Sequence, residues 1–425
     1  MSGAPPEAPG PIRPHELAGA LGPGVIAGAA DDDPSGIATY SIAGAQFGLA
    51  FLWTALLTWP LMAAVQSMCA RVGMVTGRGL IGNFQQRFPR PLLMTFAALL
   101  FVANTINVAA DLAAMADAAE TFSSLNSHIW VIIFGGSIAW ATIHFRYAQI
   151  ASILKWLAIV LFAYIVAGTR LVTDWGAVVR AALVPSLPVG REGWATLVAI
   201  LGTTISPYLF FWQASQEVEE ERAAGRMTVA ARRGATVRQI ALRKFDVGVG
   251  TFFSNLVMFF IILTCALTLH LHGETRITTT REAAEALRPI AGNLAAVLYS
   301  VGILGVGLLA IPTLTGSAAY ALAETFGWRE GLDHRLRDAP AFYGVVIIST
   351  MAGIALDFLN IHPVQALYWS AVLNGLLAPV LLVGVLIVAS DRPLMAGQAS
   401  SRLGRAAVAV AAVVMMIAAV AMFVV

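Results

Sequence analysis

The stretch Asp31-Asp32-Asp33-Pro34-Ser35-Gly36 lies in the middle of an apolar run covering residues 20 to 47. A second apolar run, residues 193 to 217, is interrupted in the same way by Thr203-Thr204-Ile205-Ser206-Pro207-Tyr208. Counted from Leu21 and Trp194, Asp33 and Ser206 each lie twelve residues in, about 18 Å along a helix. That is near the midplane of a hydrocarbon layer about 30 Å thick. Three carboxylates facing lipid there would cost about 8 to 10 kcal/mol on insertion scales, so they are expected to face protein, water or an ion. Pro34 and Gly36, like Pro207, stop a helix and free backbone carbonyls, which is tolerated at this depth only where the chain lines a cavity. Broken helices at corresponding positions in two halves of a chain point to the binding site of a secondary transporter.

The rest of the chain agrees with a membrane setting. Only 12% of the 425 residues are charged and 58% are hydrophobic, with a mean hydropathy of +0.77, far from the roughly 25% charge of a soluble domain. The net charge of +2 gives no reason to expect nucleic acid. Cys69 and Cys265 both sit in apolar runs without metal-type spacing and read as small core residues. Residues 1–18, with prolines at 5, 6, 9, 11 and 14, are expected to form a disordered cytoplasmic tail. No cleavable signal peptide is expected at the start.

Runs long enough to span fall at 20–47, 49–73, 92–118, 128–146, 150–171, 193–217, 247–271, 291–325, 340–358, 363–389 and 404–425. The eighth is over-long, and either an extension into the cytoplasm or a break at Pro312 is expected. With the N-terminus inside, nineteen basic residues fall on the cytoplasmic side, including the cluster Arg222, Arg226, Arg232, Arg233, Arg238, Arg243 and Lys244, against six on the other. The positive-inside rule thus supports a multi-pass protein of the cell inner (plasma) membrane with a cytoplasmic N-terminus. Five crossings separate the two broken segments, so they run in opposite directions. The expected fold is an all-α integral membrane protein with a 5+5 inverted repeat, discontinuous helices 1 and 6, and an eleventh helix. Repeat one covers 19–172 and repeat two 193–389, together a ten-helix core over 19–389; residues 390–425 add a cytoplasmic loop and the accessory helix.

Asn104, Asn107 and Asp111 share one face of the third segment. An intramembrane carboxylate flanked by amides fits a proton or ion relay and equally fits a hydrogen-bond network between helices. Glu217, in the stripe Gln213, Gln216, Glu217 and Glu220, either lines an inner vestibule or belongs to the solvated start of a basic loop, pairing with Arg222. Asn255, Asn374 and the histidines read as structural, and Lys155 as a snorkelling side chain. Residues in a row on a helix point about 100° apart, so either the chain unwinds at Asp31 to Asp33 or some of the three carboxylates stand behind the others. Close carboxylates also cannot all ionise without a cation.

Gly22-Pro23-Gly24 ahead of Asp33-Pro34, Thr76-Gly77, Asp111-Leu112-Ala113, Ser206-Pro207 and Pro393-Leu394-Met395 together resemble the Nramp family of divalent-metal transporters, which have the LeuT-type fold. The resemblance runs in order over most of residues 20 to 425. It implies a metal-binding aspartate at Asp33, carbonyl ligands at Ala30 and Thr203, and a proton-accepting aspartate at Asp111. The family's D-P-G-N asparagine falls on Gly36 and its M-P-H methionine on Ser206. Its sixth-helix histidines fall on Tyr208 and Gln213, and its third-helix glutamate on Ala114.

A thioether favours soft or borderline metals, whereas hydroxyl and carboxylate oxygens favour hard ions, and Mg²⁺ needs only one or two carboxylates. The chain is therefore expected to move a hard divalent cation, Mg²⁺ first and Mn²⁺ second, by alternating access, in the manner of Nramp-related magnesium transporters. Its metal site would comprise Asp33, Ser206, Ala30, Thr203, Asp32 and Asp31, with Asp111, Asn107 and Glu217 on a proton or exit path. Coupling to protons, as in a symport, stays open. The alternative cargo is an amino acid or organic cation. An intramembrane prenyltransferase is excluded by the missing D-D-x-x-D spacing, so no enzyme is expected, no cofactor beyond the transported ion, and a monomer in the bilayer.

Overall fold

A computed structural model of the chain describes Leu17 and residues 21–145, 160–332, 334–359 and 362–425. The expected tail at 1–18, Leu17 apart, lies outside the described residues, as do Lys155 and the first part of the fifth apolar run. Among the described residues the chain is helical throughout, without strands. The helices are α1 (Pro23–Asp31), α2 (Pro34–Phe47), α3 (Leu52–Thr76), α4 (Leu80–Phe84), α5 (Arg90–Glu120), α6 (Ser127–His144), α7 (Phe162–Leu171) and α8 (Trp175–Leu183), then α9 (Gly190–Thr204), α10 (Pro207–Ala223), α11 (Val237–Thr268), α12 (Ala295–Phe326), α13 (Pro340–Asp357), α14 (Pro363–Ser390) and α15 (Arg402–Val424).

The two expected interruptions are real. α1 stops at Asp31 and α2 starts at Pro34. Pro34 disfavours helical backbone at the residue before it, and Asp33 is accordingly extended, at φ −67° and ψ 171°. Its side chain then caps α2 by accepting from the Gly36 amide. α9 stops at Thr204 and α10 starts at Pro207, with Ser206 extended at φ −81° and ψ 134°. Pro312 produces no break, because α12 runs through it from Ala295 to Phe326. The hydroxyls of Thr313, Thr315 and Ser317 bond to the carbonyls of Ala310, Ile311 and Thr313 around it, which keeps local backbone acceptors satisfied.

Two groups of helices emerge from the packing. α1, α2 and α3 pack on α11, and α3 also packs on α10, while α5, α6, α12 and α13 pack on one another. α14 bridges them by packing on α9, α5 and α2, and α15 lies against α14, α9 and α3. Between apolar helices in lipid, close approach of backbones does much of the holding. A Cβ on Gly28 of α1 would stand 2.4 Å from the Gly250 carbonyl of α11, and one on Gly202 of α9 would stand 2.1 Å from the Ala371 carbonyl of α14. Small residues at these positions bring each broken helix onto an unbroken one.

Two of the short sequence motifs have structural explanations. Gly77 ends α3 in the left-handed region at φ 66°, a backbone that glycine adopts without strain. Its carbonyl accepts from Arg232 Nε at 3.1 Å, and Thr76 Oγ1 accepts from Asn83 Nδ2 at 2.9 Å. Pro393-Leu394-Met395 packs the loop before α15 onto the bundle: Met395 is buried, Arg233 donates to the Pro393 carbonyl, and Asp391 pairs with Arg87.

Candidate functional site at the two helix breaks

The breaks meet in the interior. Ser35 Oγ lies 3.4 Å from Thr203 Oγ1, and Tyr40 OH lies 3.0 Å from Thr204 Oγ1. Tyr208, in the first turn of α10, donates its hydroxyl to the Ala30 carbonyl at 2.8 Å and reaches Asp33 Oδ2 at 3.5 Å. One phenol thus spans both breaks, and the Ala30 carbonyl implied as a ligand by the resemblance carries a hydrogen bond from it.

Asp33 is the centre of this junction. Its Oδ1 accepts from Ser35 Oγ at 2.6 Å and from the Gly36 amide at 2.8 Å. Its Oδ2 faces Asn107 Nδ2 at 3.3 Å as well as Tyr208. Asn107 is held in turn by Ser370 of α14, which donates to its Oδ1 at 2.6 Å. Asn107 therefore belongs to the surroundings of Asp33.

The three aspartates do not gather on one point. Asp31 and Asp32 turn to α11, where Ser254 Oγ reaches Asp31 Oδ2 at 2.7 Å and Asp32 Oδ1 at 3.2 Å. Among the described residues, no three side chains of His, Cys, Asp or Glu form a group suited to a metal ion. The unwound backbone points successive carboxylates to different partners, so Asp33 stands at the α5 side while Asp31 and Asp32 stand behind it. Any ion here must draw on hydroxyl and carbonyl oxygens in addition to carboxylate.

Ser206 offers such an oxygen. At the position before α10 a serine ordinarily caps the first turn, yet its Oγ makes no cap bond and is buried without a hydrogen-bond partner among the described residues. Thr203, whose carbonyl the resemblance implies, faces Ser35 with its hydroxyl. Gly36 leaves little room for a larger ligand: a Cβ there would stand 3.2 Å from Thr203 Oγ1 and 3.3 Å from the Asp31 carbonyl.

Asp111 is one helical turn beyond Asn107 on α5, about 6 Å along the axis. It is fully buried and, among the described residues, both carboxylate oxygens lack a hydrogen-bond partner. Asn104 serves packing, donating to the Leu314 carbonyl and to Ser317.

Glu217 departs from the reading that placed it at the solvated start of a basic loop, paired with Arg222. It is buried, 2% exposed, rather than solvated, and its partner is Arg243 at 2.8 Å rather than Arg222. Gln213 Nε2 also donates to it at 2.8 Å. Arg222 pairs instead with Glu219 and Glu330. In the loop after α12, burial pushes the Glu330 carboxyl up from its ordinary range, against the opposing pull of Arg222. Glu217 lies nine residues after Tyr208 on α10, about 14 Å along the axis from the breaks.

Arg243 also pairs with Glu220 and, at 2.6 Å, with Asp246. The Asp246 carboxylate accepts from the backbone amides of Gly22, Gly24 and Val25 at 2.9, 2.8 and 3.1 Å. Gly22 supplies no side-chain cap to α1, and a carboxylate from α11 supplies one in its place. Ser254, Ser370, Tyr208 and Asp246 were not among the expected site residues; the polar pair Ser254-Asn255 in an apolar segment was the available signal for the first.

Two broken helices crossing in opposite senses, five segments apart, with their ends meeting at a buried polar junction, define the class: an inverted-repeat membrane transporter with the LeuT-type fold. The chain matches the family described as Nramp, natural resistance-associated macrophage protein-like, over residues 24–425, and it belongs to that family of metal transporters. It is 28% identical over 318 residues to the divalent metal cation transporter MntH of Yersinia pestis, covering 73% of each chain. It is likewise 28% identical over 310 residues to the MntH of Pectobacterium carotovorum, covering 70% of each. In structure it resembles the manganese transporter of Eremococcus coleocola, with a TM-score of 0.76 at 17% identity over 98% of this chain and 89% of that one. The more distant transporter Mhp1 gives a TM-score of 0.52 at 14% identity over 95% and 90%.

Proposed function

We propose that this chain carries a hard divalent cation, Mg²⁺ or Mn²⁺, across the membrane by alternating access at the junction of the two breaks. The observation that carries the reading is that Asp33 in the first break, with Oδ2 contacts of 3.3 and 3.5 Å, is matched in the second break by the buried hydroxyl of Ser206, which has no hydrogen-bond partner among the described residues. Asp33 would be the charged ligand. Ser206 and the Thr203 carbonyl would complete an oxygen shell, and the Ala30 carbonyl would join once Tyr208 turns away. Oxygen donors select hard ions over thiophilic ones, and Mg²⁺ retains several of its waters in such sites. The relatives named above as divalent metal or manganese transporters support a divalent cargo.

Asp31 and Asp32 would add negative charge behind the site without binding the ion directly. Asp111, buried and without a donor, would carry a proton along α5, making the transport a symport. Flux into liposomes containing the purified chain tests the proposal. Mg²⁺ and Mn²⁺ should enter, uptake should fall to background in Asp33→Ala, and Cd²⁺ should compete poorly. Equal uptake by wild type and Asp33→Ala would overturn it.

A further inference from the structure

The arginine-rich end of the bundle contains a second built site, away from the breaks. A cavity of about 490 Å³ opens between α3, α11 and α15. At its polar end stand Arg71, Lys244, Ser400 and Ser401. Arg71 and Lys244 form no ion pair among the described residues, and Arg71 Nε is buried without a partner. Arg243 also lines the cavity, but its charge is taken up by Glu217, Glu220 and Asp246.

Two further features point to an anion. Ser401 caps α15, so the N-terminus of a 23-residue helix opens here, an end that attracts negative charge. Independently, Ser400 is only 8% exposed and its hydroxyl has no hydrogen-bond partner among the described residues. A buried, unmatched hydroxyl lining the same cavity as two unpaired cations is a place for an acceptor oxygen.

The rest of the cavity lining is mostly apolar. Pro60, Ala63 and Met68 line it from α3, and Leu403 and Ala407 from α15. Pro60 to Arg71 is eleven residues, about 16 Å of helix, the path of an acyl chain descending from a headgroup. An inorganic anion would use the polar end and leave this apolar slot unfilled.

We propose that the cavity binds an anionic phospholipid, with its phosphate at Arg71, Lys244, Ser400 and the α15 N-terminus and an acyl chain along the α3 stripe. A snorkelling Arg71 alone would need neither the slot nor the buried hydroxyl. The test uses the full-length chain, delipidated in detergent, with native mass spectrometry and melting as readouts. Phosphatidylglycerol should stay bound and raise the melting temperature where phosphatidylcholine does not. Arg71→Gln with Lys244→Gln should weaken phosphatidylglycerol about thirtyfold. Ala63→Trp, which fills the slot and leaves both cations, should weaken it as well without changing lipid-free melting. Equal retention of the two lipids, full retention in Ala63→Trp, or complete displacement by millimolar inorganic phosphate would each overturn the proposal. If the double variant does not fold, Ala63→Trp and the comparison of the two lipids decide.

Discussion

Asp246→Ala should loosen the first broken helix from the bundle. In the intact protein one buried carboxylate accepts three amides from the start of α1 and a guanidinium from Arg243. α1 has only nine residues and no cap of its own, so no local group replaces those acceptors. Loss of a helix cap costs about 0.5 to 2 kcal/mol, and loss of a buried hydrogen bond to a charged group about 1.5 to 3 kcal/mol. Counting the three amides as one cap plus one charged bond gives about 2 to 5 kcal/mol, a shift of roughly 30- to 4000-fold toward an undocked α1. The readout is Ala27→Cys, at a site 2% exposed in α1, in a background where Cys69 and Cys265 are serine. Thiol modification should be at least about tenfold faster when Asp246→Ala is added. Ala411→Cys, equally buried but on α15, should stay protected, since only general unfolding would expose both. Equal rates at Ala27→Cys with and without Asp246 would refute the assignment of Asp246 as the anchor of α1.

Other outcomes follow from the same geometry. Arg243→Ala strands the buried carboxylate of Glu217 and should cost about 3 to 5 kcal/mol in denaturant unfolding; Arg243→Ala with Glu217→Gln should recover part of that loss, and no recovery would count against the pair. Tyr208→Phe frees the Ala30 carbonyl by removing one neutral hydrogen bond, worth about 1 kcal/mol, and should lower the KM for Mn²⁺ about fivefold; an unchanged or higher KM would mean that the hydroxyl does not compete with cargo. Asp111→Asn should leave metal uptake measurable but abolish its acceleration by an inward proton gradient; retention of the acceleration would remove Asp111 from the proton path. Gly250→Ala places a methyl 2.2 Å from the Gly24 carbonyl and should destabilise the chain by about 1 to 3 kcal/mol through overpacking, read by thermal unfolding in detergent.

Much of this architecture is legible in the sequence because membrane depth restricts what a chain can carry. A proline following Asp33 or Ser206 in mid-run leaves few options besides a broken helix lining a polar interior. The helix boundaries follow apolar runs closely for the same reason. Pro312 shows the limit: α12 tolerates it unbroken, since neighbouring hydroxyls and packing absorb a lone proline, and nothing in the run itself separates that case from a break. Partners were harder to see. Ser254 and Ser370 look like any serine in an apolar helix, such as those that bond their own backbone, and their roles depend on contacts more than 200 residues away in sequence. The partner of Glu217 is hidden in the sequence because Arg243 comes from a different helix, whereas the nearby Arg222 is taken by Glu219 and Glu330.

The double duty of Asp33 has a kinetic consequence. Its Oδ1 is committed to the first turn of α2, through Ser35 and the Gly36 amide, so on the proposed reading a passing cation meets one available oxygen instead of a chelating pair. Single-oxygen contact holds an ion less firmly and releases it sooner. For a carrier, whose throughput depends on letting go as much as on capture, a carboxylate kept half-occupied by its own helix works as a built-in limit on residence time.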